Sequence, residues 1–151
     1  MRLELSGAPE IAAPRERVWE RLLDAEFVGK CAPGVRSVKV VDDTHYKVTA
    51  GLGVGAVKLT FVLDVELSDL DPPISAKMAA RGRAAGSEVR VESSVALETP
   101  AANRTRLSWT VAADVHGTVV SVGARLLKGT AGKLADGFWK KFAKAVGRER
   151  R

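Results

Sequence analysis

Side chains that could act as nucleophiles, bases or metal ligands are few in this chain of 151 residues. The candidates are Cys31, His45, Tyr46 and His116, and they are scattered over separate predicted elements. A zinc site needs several such ligands at short, recognisable spacings. Two histidines and one cysteine do not supply that pattern, so the sequence predicts no metal site.

Asp114 and His116 come nearest to a catalytic pair. Lying two residues apart on a strand, they would share one face, as a base and its orienting carboxylate do. They alternate with Val111, Ala113 and Val115, however, and this pattern predicts that they face solvent. We therefore expect a protein that is not an enzyme.

Two further features allow both a functional and a structural interpretation. Cys31 could be a reactive thiol, but a cysteine in this position is more often a small, buried apolar residue. The glycine-rich run at 51–56 lacks the Gly-Lys-Ser/Thr ending of a phosphate-binding loop and lies between two predicted strands. It is interpreted as a hairpin, whose glycines could let the loop move aside at the mouth of a cavity.

Size and composition indicate one domain, which we place at residues 1–147, followed by a basic tail at 148–151. A single cysteine excludes an internal disulfide and fits a reducing compartment. No apolar run approaches the ~20 residues needed to span a bilayer, and the first residues read as a strand rather than a signal peptide. We expect the protein to lie in the cytoplasm, where it could also attach peripherally to the inner face of the membrane.

Basic residues are concentrated at the end of the chain. Residues 118–151 contain nine basic and two acidic side chains, a net charge of +7, whereas the remainder has a net charge of −1. Such a localised charge suits an anionic partner such as lipid headgroups or an acidic protein patch, although a solvated helix face is the simpler alternative. No nucleic-acid reading module is recognisable, so nucleic acid is not an expected partner.

Alternation of apolar and polar residues predicts a strand at 3–12, two short helices of which the second covers 26–30, and six further strands. The six strands are predicted at 35–41, 45–52, 57–67, 75–83, 88–98 and 105–116. One long amphipathic helix then covers 119–146, with its apolar residues within a sector of roughly 80°. A curved sheet closed by one long helix usually encloses something, which favours a binder of hydrophobic ligands.

This order of elements, with the motifs at its joints, resembles the G-subunit family of carbon monoxide dehydrogenase, a branch of the START-like, helix-grip superfamily. The motifs are Val18-Trp19, Cys31-Ala32-Pro33-Gly34, Val54-Gly55-Ala56-Val57-Lys58, Asp69-x-Asp71-Pro72-Pro73 and Lys133-Leu134-Ala135-Asp136-x-Phe138. The resemblance implies an α+β helix-grip fold, in which a curved seven-stranded antiparallel sheet wraps around the C-terminal helix and leaves an apolar cavity. It carries no catalytic residues over to this chain.

The resemblance also implies a role as an accessory protein of a molybdenum hydroxylase of the carbon monoxide dehydrogenase type. The expected ligand is a respiratory quinone, menaquinone or ubiquinone, or another lipid, with no covalent cofactor. The expected partners are the dehydrogenase and an anionic membrane surface. An assembly factor acting by protein contacts, and a small enzyme of the cyclase or hydratase kind, remain as alternatives.

Three sets of residues are predicted to carry this function. The cavity is predicted to be lined by Leu59, Phe61, Met78, Val91, Ser93, Trp109, Val111, Val120, Leu127, Ala131, Leu134 and Phe138. The predicted entrance consists of Phe27, Pro33, Gly53 and Gly55. Docking to a membrane or a partner is predicted for Trp139, Lys140, Lys141, Lys144, Arg148, Arg150 and Arg151.

Overall fold

A computed structural model describes residues 1–149 as one antiparallel sheet with three α-helices. The strands are β1 (Arg2–Gly7), β2 (Glu10–Ile11), β3 (Val35–Asp42), β4 (His45–Val54), β5 (Val57–Asp71), β6 (Ser75–Ala84), β7 (Ser87–Ala101) and β8 (Arg104–Gly117). The helices are α1 (Arg15–Leu22), α2 (Ala25–Cys31) and α3 (Ala124–Arg148). The predicted helix-grip architecture is confirmed.

The sheet has the order β1-β8-β7-β6-β5-β4-β3, and β2 pairs with β8 beside β1. Strands β3 to β8 begin within one residue of their predicted starts. Three of them, β4, β5 and β7, run two to four residues further than predicted. The extensions of β5 and β7 are exposed on both sides and carry polar residues, so no apolar alternation marks them.

The predicted first strand at 3–12 is two strands, because Ala8 and Pro9 interrupt it. Proline has no N–H group to donate to a ladder, and Pro9 contributes only its carbonyl oxygen, which accepts from the Leu107 N–H at 3.0 Å. The chain then re-enters the sheet as β2, which pairs with the beginning of β8. Strands β1 and β2 therefore both pair with β8, one after the other along its length.

The long helix begins later than predicted. Residues Thr118–Val122 form a 3₁₀ turn, and α3 begins at Ala124. Gly123 separates the two with a φ of +97°, a conformation that a helix does not contain and that glycine adopts readily. Val120, which was predicted to lie on the apolar face of the long helix, therefore belongs to the turn that precedes α3.

The β3–β4 hairpin carries a histidine held between two carboxylates. His45 Nδ1 lies 2.8 Å from Asp42 Oδ1, and His45 Nε2 lies 2.9 Å from Glu66 Oε2 on the neighbouring strand. The hydrogen bond with Asp42, followed by that with Glu66, raises the pKa of His45 above its ordinary value. The protonated imidazole therefore links the hairpin to β5.

We expect an NMR titration to show a pKa for His45 above the ordinary value of about 6.5. Because the folded pKa is raised, the stabilisation by His45 is fully present below the unfolded pKa and is lost as the pH rises through the folded value. The variants Asp42→Asn and Glu66→Gln should each lower the pKa of His45. A measured pKa at or below the ordinary value would contradict this arrangement.

Candidate functional site

The buried apolar residues form two separate clusters at opposite ends of α3. The first cluster, where α1, α2 and the end of α3 meet, consists of Ile11, Ala13, Val18, Trp19, Cys31, Ala76, Leu97, Leu107, Trp109, Phe142 and Val146. The second cluster, at the beginning of α3, consists of Leu3, Val54, Val115, Val119 and Leu127. A fully packed domain usually has one contiguous core, so the division itself requires an explanation.

Between the two clusters lies a band of inward-facing residues that we call the inner gap. Its members are Phe61, Leu63, Val65, Leu67, Met78, Ala80, Val91, Ser93 and Leu134, none of which belongs to either buried cluster. Phe61 and Ala80 are buried, but the others are half-exposed although they face the helix side of the sheet. Apolar surface on β5, β6 and β7 is therefore left partly uncovered between the two clusters.

The cross-strand neighbours in the inner gap pair large residues with small ones. Val65 lies opposite Ala80 on β6, and Met78 lies opposite Ser93 on β7. The Ser93 hydroxyl donates to the Thr110 carbonyl at 2.9 Å, so its hydrogen-bonding need is met within the sheet. The gap thus presents apolar side chains and small residues, which is the chemistry of a site for an apolar molecule.

The twelve residues predicted to line a cavity all lie on the inner side, but the structure divides them among three places. Trp109, Val111 and Phe138 pack in or against the first cluster. Leu59, Val120, Leu127 and Ala131 pack in or against the second cluster. The remaining five lie in the inner gap, and they are Phe61, Met78, Val91, Ser93 and Leu134.

Four gap residues were not among the predicted lining residues. Leu63, Val65 and Leu67 continue the inward alternation of β5 beyond Phe61, and Ala80 faces Val65 from β6. The signal that could have found them is this alternation itself. The sequence pattern does not show, however, where along a strand the helix stops covering it.

Two of the four predicted entrance residues, Pro33 and Gly55, lie beside one flank of α3. A methyl group at Gly55 would lie 3.1 Å from Leu126 Cδ2, and one at Gly137 would lie 3.5 Å from Pro33 Cγ. Gly53, on the same hairpin as Gly55, is exposed with open space beside it. The α2–β3 loop, the β4–β5 hairpin and this flank of α3 together form a three-sided frame, which we call the entrance frame.

Phe27, the fourth predicted entrance residue, lies elsewhere. Its ring meets the ring of Phe142 edge to face, with 5.7 Å between their centroids, and the Arg21 guanidinium carbon is 5.1 Å from its centroid. Phe27 thus packs against the first cluster between α2 and α3. Aromatic pairing with α3 removes it from the entrance frame.

Trp139, a predicted docking residue, packs on the sheet. Its ring stacks on Trp109 of β8 with 5.8 Å between centroids, and it meets Phe138 edge to face at 4.6 Å. The indole is half-buried and packs against the first cluster. Of the other predicted docking residues, Lys140, Lys141, Lys144 and Arg148 are exposed, and Arg150 and Arg151 lie outside the described residues.

Tyr46 borders the inner gap, where it lies opposite Val65 on β5 and its hydroxyl donates to the Leu23 carbonyl at 3.2 Å. The other groups that could do chemistry lie away from the gap. Cys31 is buried, and its burial raises the pKa of the thiol, which disfavours the reactive thiolate. Asp114 pairs with Arg2 at 3.4 Å, and His116 is exposed beyond it. Within residues 1–149, no group of three or more histidine, cysteine or carboxylate side chains is arranged to hold a metal ion.

A separate groove of about 720 Å³ lies mainly on the outer face of the sheet. Its outward-facing lining includes Ser6, Ala8, Lys77, Ser94, Ala96, Ser108 and Thr110. Lys77 Nζ lies 3.5 Å from Asp69 at its edge. Because α3 does not cover this face, any ligand there would remain open to water, in contrast to one in the inner gap.

The sequence matches, over residues 7–147, a family model that describes the G subunit of carbon monoxide dehydrogenase (CoxG). No curated protein matches it. A conserved protein from Geobacillus kaustophilus has a solved structure with 30% identity and a TM-score of 0.90, covering 99% of this chain and 98% of that one.

Two more distant structures show the fold alone. The ZhuI aromatase/cyclase from Streptomyces sp. R1128 has 18% identity and a TM-score of 0.72, covering 100% of this chain and 97% of its own. A START superfamily protein from Mycobacterium smegmatis has 13% identity and a TM-score of 0.72, covering 96% and 97%.

Proposed function

The chain belongs to the CoxG family, that of the carbon monoxide dehydrogenase G subunit, and from this membership we propose that it is a non-enzymatic accessory protein that binds a hydrophobic ligand in the inner gap. The observation that carries the proposal is the division of the core into two clusters with half-exposed apolar residues between them. Each CH₂-sized group of a ligand buried there would contribute ~0.8 kcal/mol. A chain of several such groups would therefore bind with useful affinity.

A respiratory quinone, either menaquinone or ubiquinone, or a similar lipid is the proposed ligand. Its long apolar tail suits the band of aliphatic side chains that runs from Leu63 to Leu67 along β5 and across to Leu134. The proposed partner is a molybdenum hydroxylase of the carbon monoxide dehydrogenase type, and the family name supports an association with carbon monoxide dehydrogenase. The protein would carry the quinone between the membrane and this dehydrogenase.

Catalysis forms no part of the proposal. Of the ionisable residues considered from the sequence, Tyr46 borders the inner gap, and its hydroxyl donates to the Leu23 carbonyl. The Ser93 hydroxyl in the gap likewise donates to the Thr110 carbonyl. Within residues 1–149, no helix combines the length and the apolar composition needed to span a membrane. Membrane contact is therefore proposed to be peripheral and to use exposed basic side chains.

Native mass spectrometry of protein purified from its own host, followed by organic extraction, tests the proposal. We expect a co-purifying quinone or isoprenoid, or stoichiometric uptake of a short-tailed quinone offered to empty protein. A protein that is reproducibly empty and takes up no quinone would overturn the ligand-binding function. It would favour an assembly factor for the dehydrogenase that acts through protein contacts alone.

A further inference from the structure

Basic side chains without carboxylates beside them in sequence lie on the β4–β5 hairpin and the first turns of α3. Residues 50–60 and 117–130 contain no aspartate or glutamate. Their basic residues are Lys58, Arg125 and Lys128, and all three are exposed. Within residues 1–149, none of the three forms an ion pair with a carboxylate.

One exposed apolar side chain lies among these basic residues. Leu126, in the first turn of α3, is 46% exposed and lies beside the tip of the β4–β5 hairpin, where Gly55 and Ala56 are also exposed. Arg125 and Lys128 flank Leu126 on the same turns and are both exposed. An apolar protrusion surrounded by cations suits the surface of an anionic bilayer, since the apolar part enters the interface and the cations meet the lipid phosphates.

We infer that the protein docks on an anionic lipid bilayer through the β4–β5 hairpin tip and the first turns of α3, with Leu126 entering the interface and Arg125 and Lys128 binding headgroups. This inference rests on the proposed function, because it places the entrance frame against the membrane. An apolar ligand could then pass from the bilayer to the inner gap without crossing water. The positive end of the helix dipole, at the beginning of α3, points the same way.

Both ends of the molecule carry ion pairs, such as Arg2 with Asp114 at the end where α3 begins. The opposite end differs in the residues close to its exposed apolar side chains, although the last turns of α3 are basic. There Glu149 binds Arg21 at 2.8 Å, and Glu10 binds Arg104 at 3.2 Å. Two exposed apolar residues of that end, Leu70 and Ile74, lie at the β5–β6 turn close in sequence to Asp69 and Asp71. Carboxylates close to the apolar residues suit a protein surface better than an anionic membrane.

Charge reversal at the two ends of α3 tests this orientation. Arg125→Glu/Lys128→Glu and Lys140→Glu/Lys144→Glu change exposed residues of one helix by the same net charge. In a flotation assay with vesicles containing phosphatidylglycerol, we expect the first double variant to lose binding about tenfold or more. The second should retain binding within a factor of ~3, because its lysines would not face the lipid.

A second matched pair tests the apolar contact. Leu126→Gln and Ile74→Gln replace residues that are 46% and 45% exposed at opposite ends of the molecule. Only Leu126→Gln should weaken vesicle binding, by about tenfold at most for one side chain. Three outcomes would each overturn the inference. They are an equal loss of vesicle binding by both members of either matched pair, equal binding of the wild-type protein to neutral and anionic vesicles, and no vesicle binding by the wild-type protein.

Quinone uptake from detergent solution separates this inference from the proposed function. We expect Arg125→Glu/Lys128→Glu to take up a short-tailed quinone like the wild-type protein while failing to bind vesicles. A wild-type protein that binds the quinone but no vesicle would overturn the docking inference and leave the proposed function intact. If the variant instead lost binding to the dehydrogenase, the surface would be a protein interface, which also overturns the inference.

Discussion

Replacing Ser93 with phenylalanine is expected to reduce quinone affinity about tenfold or more while the protein still folds. Ser93 lies in the inner gap, where its cross-strand neighbours are Met78 on β6 and Val111 on β8. The ring would occupy the space proposed for the ligand and displace two or more CH₂-sized contacts, each worth ~0.8 kcal/mol. Their loss corresponds to roughly a tenfold change in the dissociation constant.

Ser94→Phe is the matched control for this prediction. Ser94 follows Ser93 on β7, but it faces the outer side of the sheet and lines the separate outer groove. Isothermal titration with a short-tailed quinone should show affinity close to that of the wild-type protein for Ser94→Phe. If the control lost binding and Ser93→Phe kept it, the ligand would bind on the outer face and the inner gap would not be the site.

Phe142→Ala is expected to destabilise the protein by about 3–5 kcal/mol. The Phe142 side chain is fully buried, and its ring lies within 6 Å of the rings of Phe27, Phe138 and Trp139. Truncation would leave a cavity where α2 and α3 meet, and this cavity could close only by moving both helices. The midpoint of urea unfolding should fall accordingly, with little change in the slope.

Leu134→Ala is the corresponding control on the same stripe of α3. Leu134 is half-exposed and borders the inner gap, so its truncation removes fewer contacts and encloses no new cavity. We expect a destabilisation below ~2 kcal/mol, because less area leaves contact with other apolar atoms. A loss equal to that of Phe142→Ala would show that the space beside Leu134 is packed, which contradicts the inner gap.

The residue pattern was sufficient to predict strands β3 to β8 and their inner faces. Val57, Leu59 and Phe61 alternate with polar residues, and a strand with one wet face requires that alternation wherever it stands in the sheet. Such patterns are local, because successive side chains of a strand point to opposite sides. The ends of β5 and β7 were missed for the same reason, since their exposed tips carry no apolar pattern.

The break at Gly123 and the place of Trp139 could not be predicted in this way. The apolar spacing continues from Val120 to Leu127 across the break, so periodicity alone indicates one helix, whereas the φ of Gly123 ends it. Trp139 lies at the side of the helix stripe, where either solvent or a neighbour could meet it. Only the position of Trp109 on β8 decides that the indole is packed.

Residue order alone was enough to establish the succession of elements from α1 to β8, the inward and outward faces of the strands, the basic character of α3 and, through the resemblance, the family. These properties depend on residue type and on neighbours within a few positions, which a chain carries whether or not it is folded. The distance between α3 and each part of the sheet, in contrast, is set only in the folded molecule. That distance splits the core, leaves Leu63 to Leu67 half-exposed, and places Leu126 beside Gly55. It depends on long-range packing at both ends of the helix, which no local pattern contains.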